Sequence, residues 1–256
     1  MSLTPRSTDL HQQIDDYIAG AAVIARDSLA AARASTAFAD VYHISLSADA
    51  VLRGFAGPRL RPRPVTARSI VLRVPLLVGI GQRSVAMLEL RRFVELMCWT
   101  VYFSDHPVEW RSFATERGRG FSRDKGKPIS FAAHQELGHY VEYARELMHS
   151  EPSGLGLQAV DCIKQVTHEL NASVHAGQMA HAVGMKAPHE DISELGLKTF
   201  AAVQRRAFSN CCIVLSAYLR PQFDRLNAVS RAHFDWLVGA KVRRQVRQGP
   251  FGLPDT

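Results

Sequence analysis

No two cysteines in this chain stand in a Cys-x-x-Cys spacing, and Cys98, Cys162, Cys211 and Cys212 all fall in apolar stretches. A zinc ribbon or a dithiol redox motif is thereby excluded, and buried free thiols are expected. The most apolar runs, Ile18 to Ala25, Ile70 to Ile80 and Cys211 to Leu219, are too short to cross a bilayer, and Arg73 and Pro75 interrupt the second. The N-terminus, MSLTPRSTDLHQQIDDY, is polar and acidic where a secretion signal needs an apolar segment, so a cytoplasmic protein with no membrane attachment is expected. There is no P-loop, no G-x-G-x-x-G after a strand and no G-x-S-x-G elbow, which removes the commonest nucleotide-binding and hydrolase signatures. Alternation of apolar and polar residues with period two is missing too, and with it any convincing strand.

What the chain does contain is helical periodicity and arginine. Its 256 residues, 46% hydrophobic, are enough for a sizeable core. The net charge of +7 is unevenly spread. Six arginines and no acid lie between Arg53 and Arg73, six bases and two acids between Arg111 and Lys127, and seven bases and three acids from Arg220 onward. Such patches suit a polyanion, RNA included, although a GC-rich genome alone also favours arginine over lysine. Arg117, Arg119, Arg123, Lys125 and Lys127 in a glycine-containing loop, with Arg243 and Arg244 near the C-terminus, are the candidate nucleic-acid contacts.

The fold class read from these segments is all-α. Ser7-Thr8-Asp9 caps a first helix to about Ala34, and residues 36–65 read as irregular. They end in the alternating prolines of Gly57-Pro58-Arg59-Leu60-Arg61-Pro62-Arg63-Pro64, a stiff connector. The expected organisation is an N-terminal helical arm and connector (1–65), a helical bundle (66–220) and a basic C-terminal helix and tail (221–256). The helix from about Ser84 to Ser104 is apolar nearly all round and so central. It nevertheless carries Glu89, Arg91, Arg92 and Glu95. The spacings from Arg91 and Arg92 to Glu95 allow a salt-bridged cluster, structural or functional.

A later helix divides into two faces at about 100° per residue. Lys164, His168, Asn171, His175 and Gln178 form a polar stripe, opposite Ala159, Ile163, Val166, Leu170, Val174 and Gly177. Imidazoles titrate near neutrality, so the stripe suits acid–base or phosphate chemistry, and equally an ordinary solvated face. Glu136-Leu137-Gly138-His139 and Glu146-Leu147-Met148-His149 have the Glu-x-x-His spacing of di-iron bundles. On one helix the two point about 80° apart, so a metalloprotein using Glu136, His139 and His149 is the remotest reading, and neither metal nor cofactor is expected.

Leu170-Asn171-Ala172-Ser173-Val174-His175-Ala176-Gly177 resembles the signature helix of the HEPN superfamily, the higher eukaryote and prokaryote nucleotide-binding domains. There an Arg, often followed by Asn, precedes a His on a late helix. The run Glu89-Leu90-Arg91-Arg92-Phe93-Val94-Glu95, followed by Tyr102-Phe103-Ser104-Asp105-His106-Pro107, resembles a bacterial HEPN-like branch. The resemblance covers roughly residues 66 to 218. It implies a HEPN-like helical bundle, a homodimer, and metal-independent ribonuclease chemistry of the kind found in toxin–antitoxin and antiviral defence systems. Carried over by position, His175 is the proton-transfer group, with Asn171 and His168 placing the phosphate. Leu170 stands where the motif Arg belongs. The positive charge would therefore come from Arg91 or Arg92 beside Glu95, or from Arg205 or Arg206 across a dimer interface. The alternative is a catalytically inactive HEPN-like scaffold that binds a protein partner in a defence complex.

Overall fold

A computed structural model describes residues 7–55, 64–111, 137–149, 153–182 and 193–248. Every regular element among them is a helix: α1 (Ser7–Ala34), α2 (Thr36–Gly54), α3 (Pro64–Gly79), α4 (Arg83–Asp105), α5 (Leu137–Met148), α6 (Leu155–Ala182), α7 (Glu194–Tyr218), α8 (Arg220–Phe223) and α9 (Ala228–Gln248). No described helix is long and apolar enough to cross a membrane.

Local signals set most of the boundaries. The Ser35 hydroxyl caps α2 by accepting from the Phe38 amide at 3.2 Å, and Ser193 caps α7 by accepting from Gly196 at 3.1 Å. Gly81, at φ 76°, takes the left-handed turn that ends α3 and admits α4. The core forms where α4 and α7 cross, with Phe93 edge-on to Phe208 at 4.6 Å and Leu90, Phe103, Phe200 and Leu215 fully covered around them.

Residues 36–54, expected to be irregular, form α2, which packs against α3, α7 and α9. Its buried face includes Ser45, Ser47 and Asp49, so no apolar stripe shows in the sequence. The fold satisfies each of these groups from a neighbouring helix, as buried polar atoms require. Gln204 of α7 donates to the Val41 carbonyl at 3.1 Å and to the Ser45 hydroxyl at 2.7 Å. Ser230 of α9 donates to the Ala50 carbonyl at 2.9 Å, and His233 Nδ1 lies 3.0 Å from the Ser47 hydroxyl. Asp49 accepts from Arg53 at 2.8 Å and from Arg68 of α3 at 2.7 Å. One continuous core therefore runs from Ala37 to Leu237, across the expected boundaries at residues 65 and 220.

Glu194, at the start of α7, holds the α1–α2 junction in place. Its carboxylate accepts from the Ser35 hydroxyl at 2.5 Å and the Thr36 hydroxyl at 2.7 Å. Those two hydrogen bonds hold its carboxyl below the usual range. Among the described side chains of α1, burial comes near its C-terminal end, at Ala32.

Candidate functional site

The site is assembled by three helices. α4 turns most of its surface into the core, which leaves Arg91 and Glu95, one turn apart, on the side facing α6. Arg91 donates to Glu95 at 3.1 Å, with both side chains partly buried. α6 contributes Lys164, Thr167 and Asn171, and α5 contributes Leu137, Gly138, Val141 and Glu142; together they bound a cleft of about 520 Å³. Lys164 reaches across to Glu142 at 2.9 Å. That hydrogen bond, and then the charge of Lys164, hold the Glu142 carboxyl below its ordinary value. Thr167 donates back to the Ile163 carbonyl at 2.8 Å, so its hydroxyl is already committed as a donor. Asn171 differs from all of these. Its Oδ1 is buried and has no hydrogen-bond partner among the described residues.

The expected cluster on α4 is split. Arg91 pairs with Glu95 as the spacing allows, but Arg92 turns instead to Glu89 at 3.0 Å. Glu89, only 5% exposed, also takes Arg73 of α3 at 3.1 Å. Arg92 therefore belongs to an α3–α4 ion cluster and does not line the cleft. The neighbour that decides this, Arg73, lies on another helix and leaves no trace in the spacing within α4.

On α6 the side chains described, up to Ala172, fall on the two faces that the periodicity indicates. Leu170 is 0% exposed, so the position of the motif Arg belongs to the core, and His168 is exposed on the opposite side. Asn171 lies between them, at the cleft. His175 follows one turn later on the helix, with its side chain outside the described residues. Arg205 and Arg206 are both engaged within the chain. Arg206 grips Glu169 at 2.9 and 2.5 Å, while Arg205 lies over the Trp236 ring at 4.1 Å and donates to its carbonyl at 3.3 Å.

Arg117, Arg119, Arg123, Lys125 and Lys127 lie outside the described residues. Arg243 and Arg244 lie on the last turns of α9, with their side chains likewise outside them. Glu136 is outside as well, and His139 sets its ring edge-on to Tyr102 at 5.5 Å. Among the described residues no group of three or more His, Cys, Asp or Glu side chains is placed to hold a metal. Cys98, Cys211 and Cys212 are buried thiols, and burial pushes Cys98 and Cys212 up to about 12, far from nucleophilic use near neutrality.

Two polar cleft residues escape the sequence reading. Thr167 shares the angular position of the polar stripe, so its place could have been found. Glu142 meets Lys164 only through the packing of α5 on α6. Comparison with family models, with curated proteins and with solved structures matches none of them to this chain.

Proposed function

We propose that the protein is a HEPN-like effector or accessory component of a prokaryotic defence or toxin-type system, whose cleft between α4, α5 and α6 holds RNA or another phosphate-rich ligand without cutting it. The observation that carries this reading is the buried Oδ1 of Asn171, without a partner among the described residues, in a cleft that also presents Arg91 and Lys164. A buried acceptor calls for a donor. A ribose 2′-hydroxyl is such a donor once the Asn171 carboxamide turns into the cleft, and the phosphate beside it suits Arg91 and Lys164. Glu95 and Glu142 orient the two cations and balance their charge, so recognition rests on fit more than on a bulk field.

Leu170 in the core favours binding over cleavage, because phosphoryl transfer then proceeds without the cation that the HEPN motif aims at the developing charge. A homodimer in the cytoplasm fits the same reading.

A second reading, an inactive HEPN-like scaffold for a protein partner, is favoured by a different observation: each cation lining the cleft already has an acidic partner. Fluorescence anisotropy with single-stranded RNA over a range of salt separates the two. Affinity that falls with salt and weakens in Asn171→Ala supports the ligand cleft. RNA left unbound at low salt supports the scaffold.

A further inference from the structure

We propose that α1 pairs antiparallel with α1 of a second copy of this chain. The inference names a seam for the homodimer of the proposed function and does not rest on the RNA cleft. Near its C-terminal end α1 is seated: Ala32 is buried, and the Leu29 Cδ1 would stand 3.2 Å from a Cβ placed on Gly79 of α3. Toward the N-terminus this support ends. From residue 15 to residue 24, every side chain of α1 that the structure describes is exposed, with Ile18 at 58%, Val23 at 45% and Ile24 at 37%.

Ile18, Ala21, Ala22, Ala25, Leu29 and Ala32 lie on one face at helical spacing. The stripe that α1 uses against α3 thus continues past the edge of the body with no described residue to cover it. An amphipathic helix owes most of its stability to burial of that face. α3, on which α1 leans, also leaves Leu72 and Leu76 exposed, so apolar side chains are present on both helices.

The charges identify the occupant. Asp15 and Asp16 precede Gly20, whereas Arg26 and Arg33 follow it. A parallel pair leaves Asp15 and the partner's Arg26 eleven residues apart in height, about 16 Å. An antiparallel pair crossing at Gly20 and Ala21 sets Asp15 alongside the partner's Arg26, and Ile18 between the partner's Ala22 and Ala25. Asp15 and Arg26 flank the stripe on the same side, about 60° and 80° from Ile18 at about 100° per residue, and same-side flanks face each other in a two-fold antiparallel pair. Ala21, Ala22 and Ala25 on the facing stripe let the backbones approach closely. A second copy thus supplies both the apolar face and the complementary charges.

Sedimentation equilibrium of the full chain tests this. The wild type is expected to be a dimer, Ile18→Asp a monomer with unchanged circular dichroism, and Asp15→Arg a dimer weakened about tenfold or more. The double variant Asp15→Arg/Arg26→Asp is expected to restore the dimer, because the reversed charges meet again only in the antiparallel register. A monomeric wild type, a dimer that survives Ile18→Asp, or a double variant no tighter than the single one would overturn the proposal. A monomer that still binds RNA would overturn this inference and leave the RNA cleft standing.

Discussion

Arg91 of α4 and Asn171 of α6 open onto one cleft, the first held by Glu95 at 3.1 Å and the second with a buried oxygen that nothing described satisfies. That difference governs how the two respond to substitution. Asn171→Ala removes a polar atom that no described residue pairs with, so the fold should tolerate it while ligand binding suffers. Arg91→Ala leaves Glu95 partly buried without its partner, so it should reduce thermal stability as well as affinity, and circular dichroism melts of the two variants should separate.

The Glu89 cluster should behave as a structural unit. Its carboxylate is buried, while Arg73 and Arg92 are both more than half exposed. Removing both arginines leaves a buried charge unpaired, and Arg73→Ala/Arg92→Ala is expected to cost about 3–5 kcal/mol in urea denaturation. Each single variant should cost clearly less, because the other arginine remains.

Arg206 gives the opposite case. Its pair with Glu169 is bidentate but about two-fifths exposed on both sides, so solvent screens it. Arg206→Ala should change stability by roughly 1 kcal/mol or less. It should leave RNA affinity unchanged, since this guanidinium serves α6–α7 packing and lies outside the cleft.

Acid should loosen the latch at Glu194. Hydrogen bonds from Ser35 and Thr36 lower its carboxyl in the folded protein, so the unfolded chain takes up the proton first as pH falls. The stabilisation is fully present above the ordinary carboxylate range and is lost as pH drops through the lowered folded value. Glu194→Gln should therefore melt below the wild type at neutral pH, and the two melting temperatures should converge in acid.

These cases show how far the sequence carried. α1, α4 and α6 were legible from helical periodicity, and Leu170 could be assigned to the core from its angle alone. α2 was not, because Ser45, Ser47 and Asp49 face inward and depend on Gln204, His233, Arg53 and Arg68. Only Arg53 shares their helix. Arg92 had an acid three residues away on either side, Glu89 and Glu95, so spacing could not choose between them. In the cleft, Arg91 and Asn171 each stood out within their own helices. Glu142 did not, since only tertiary packing brings it to Lys164.

The most direct test of the cleft compares RNA with DNA of the same sequence, in wild type and in Asn171→Ala. If Asn171 Oδ1 accepts from a ribose 2′-hydroxyl, the wild type should prefer RNA by a single hydrogen bond, about 0.5–1.5 kcal/mol, or roughly three- to tenfold in Kd. Asn171→Ala should bind both alike with its melting temperature unchanged. Equal affinity for RNA and DNA in the wild type, or an RNA preference that persists in Asn171→Ala, would contradict the assignment.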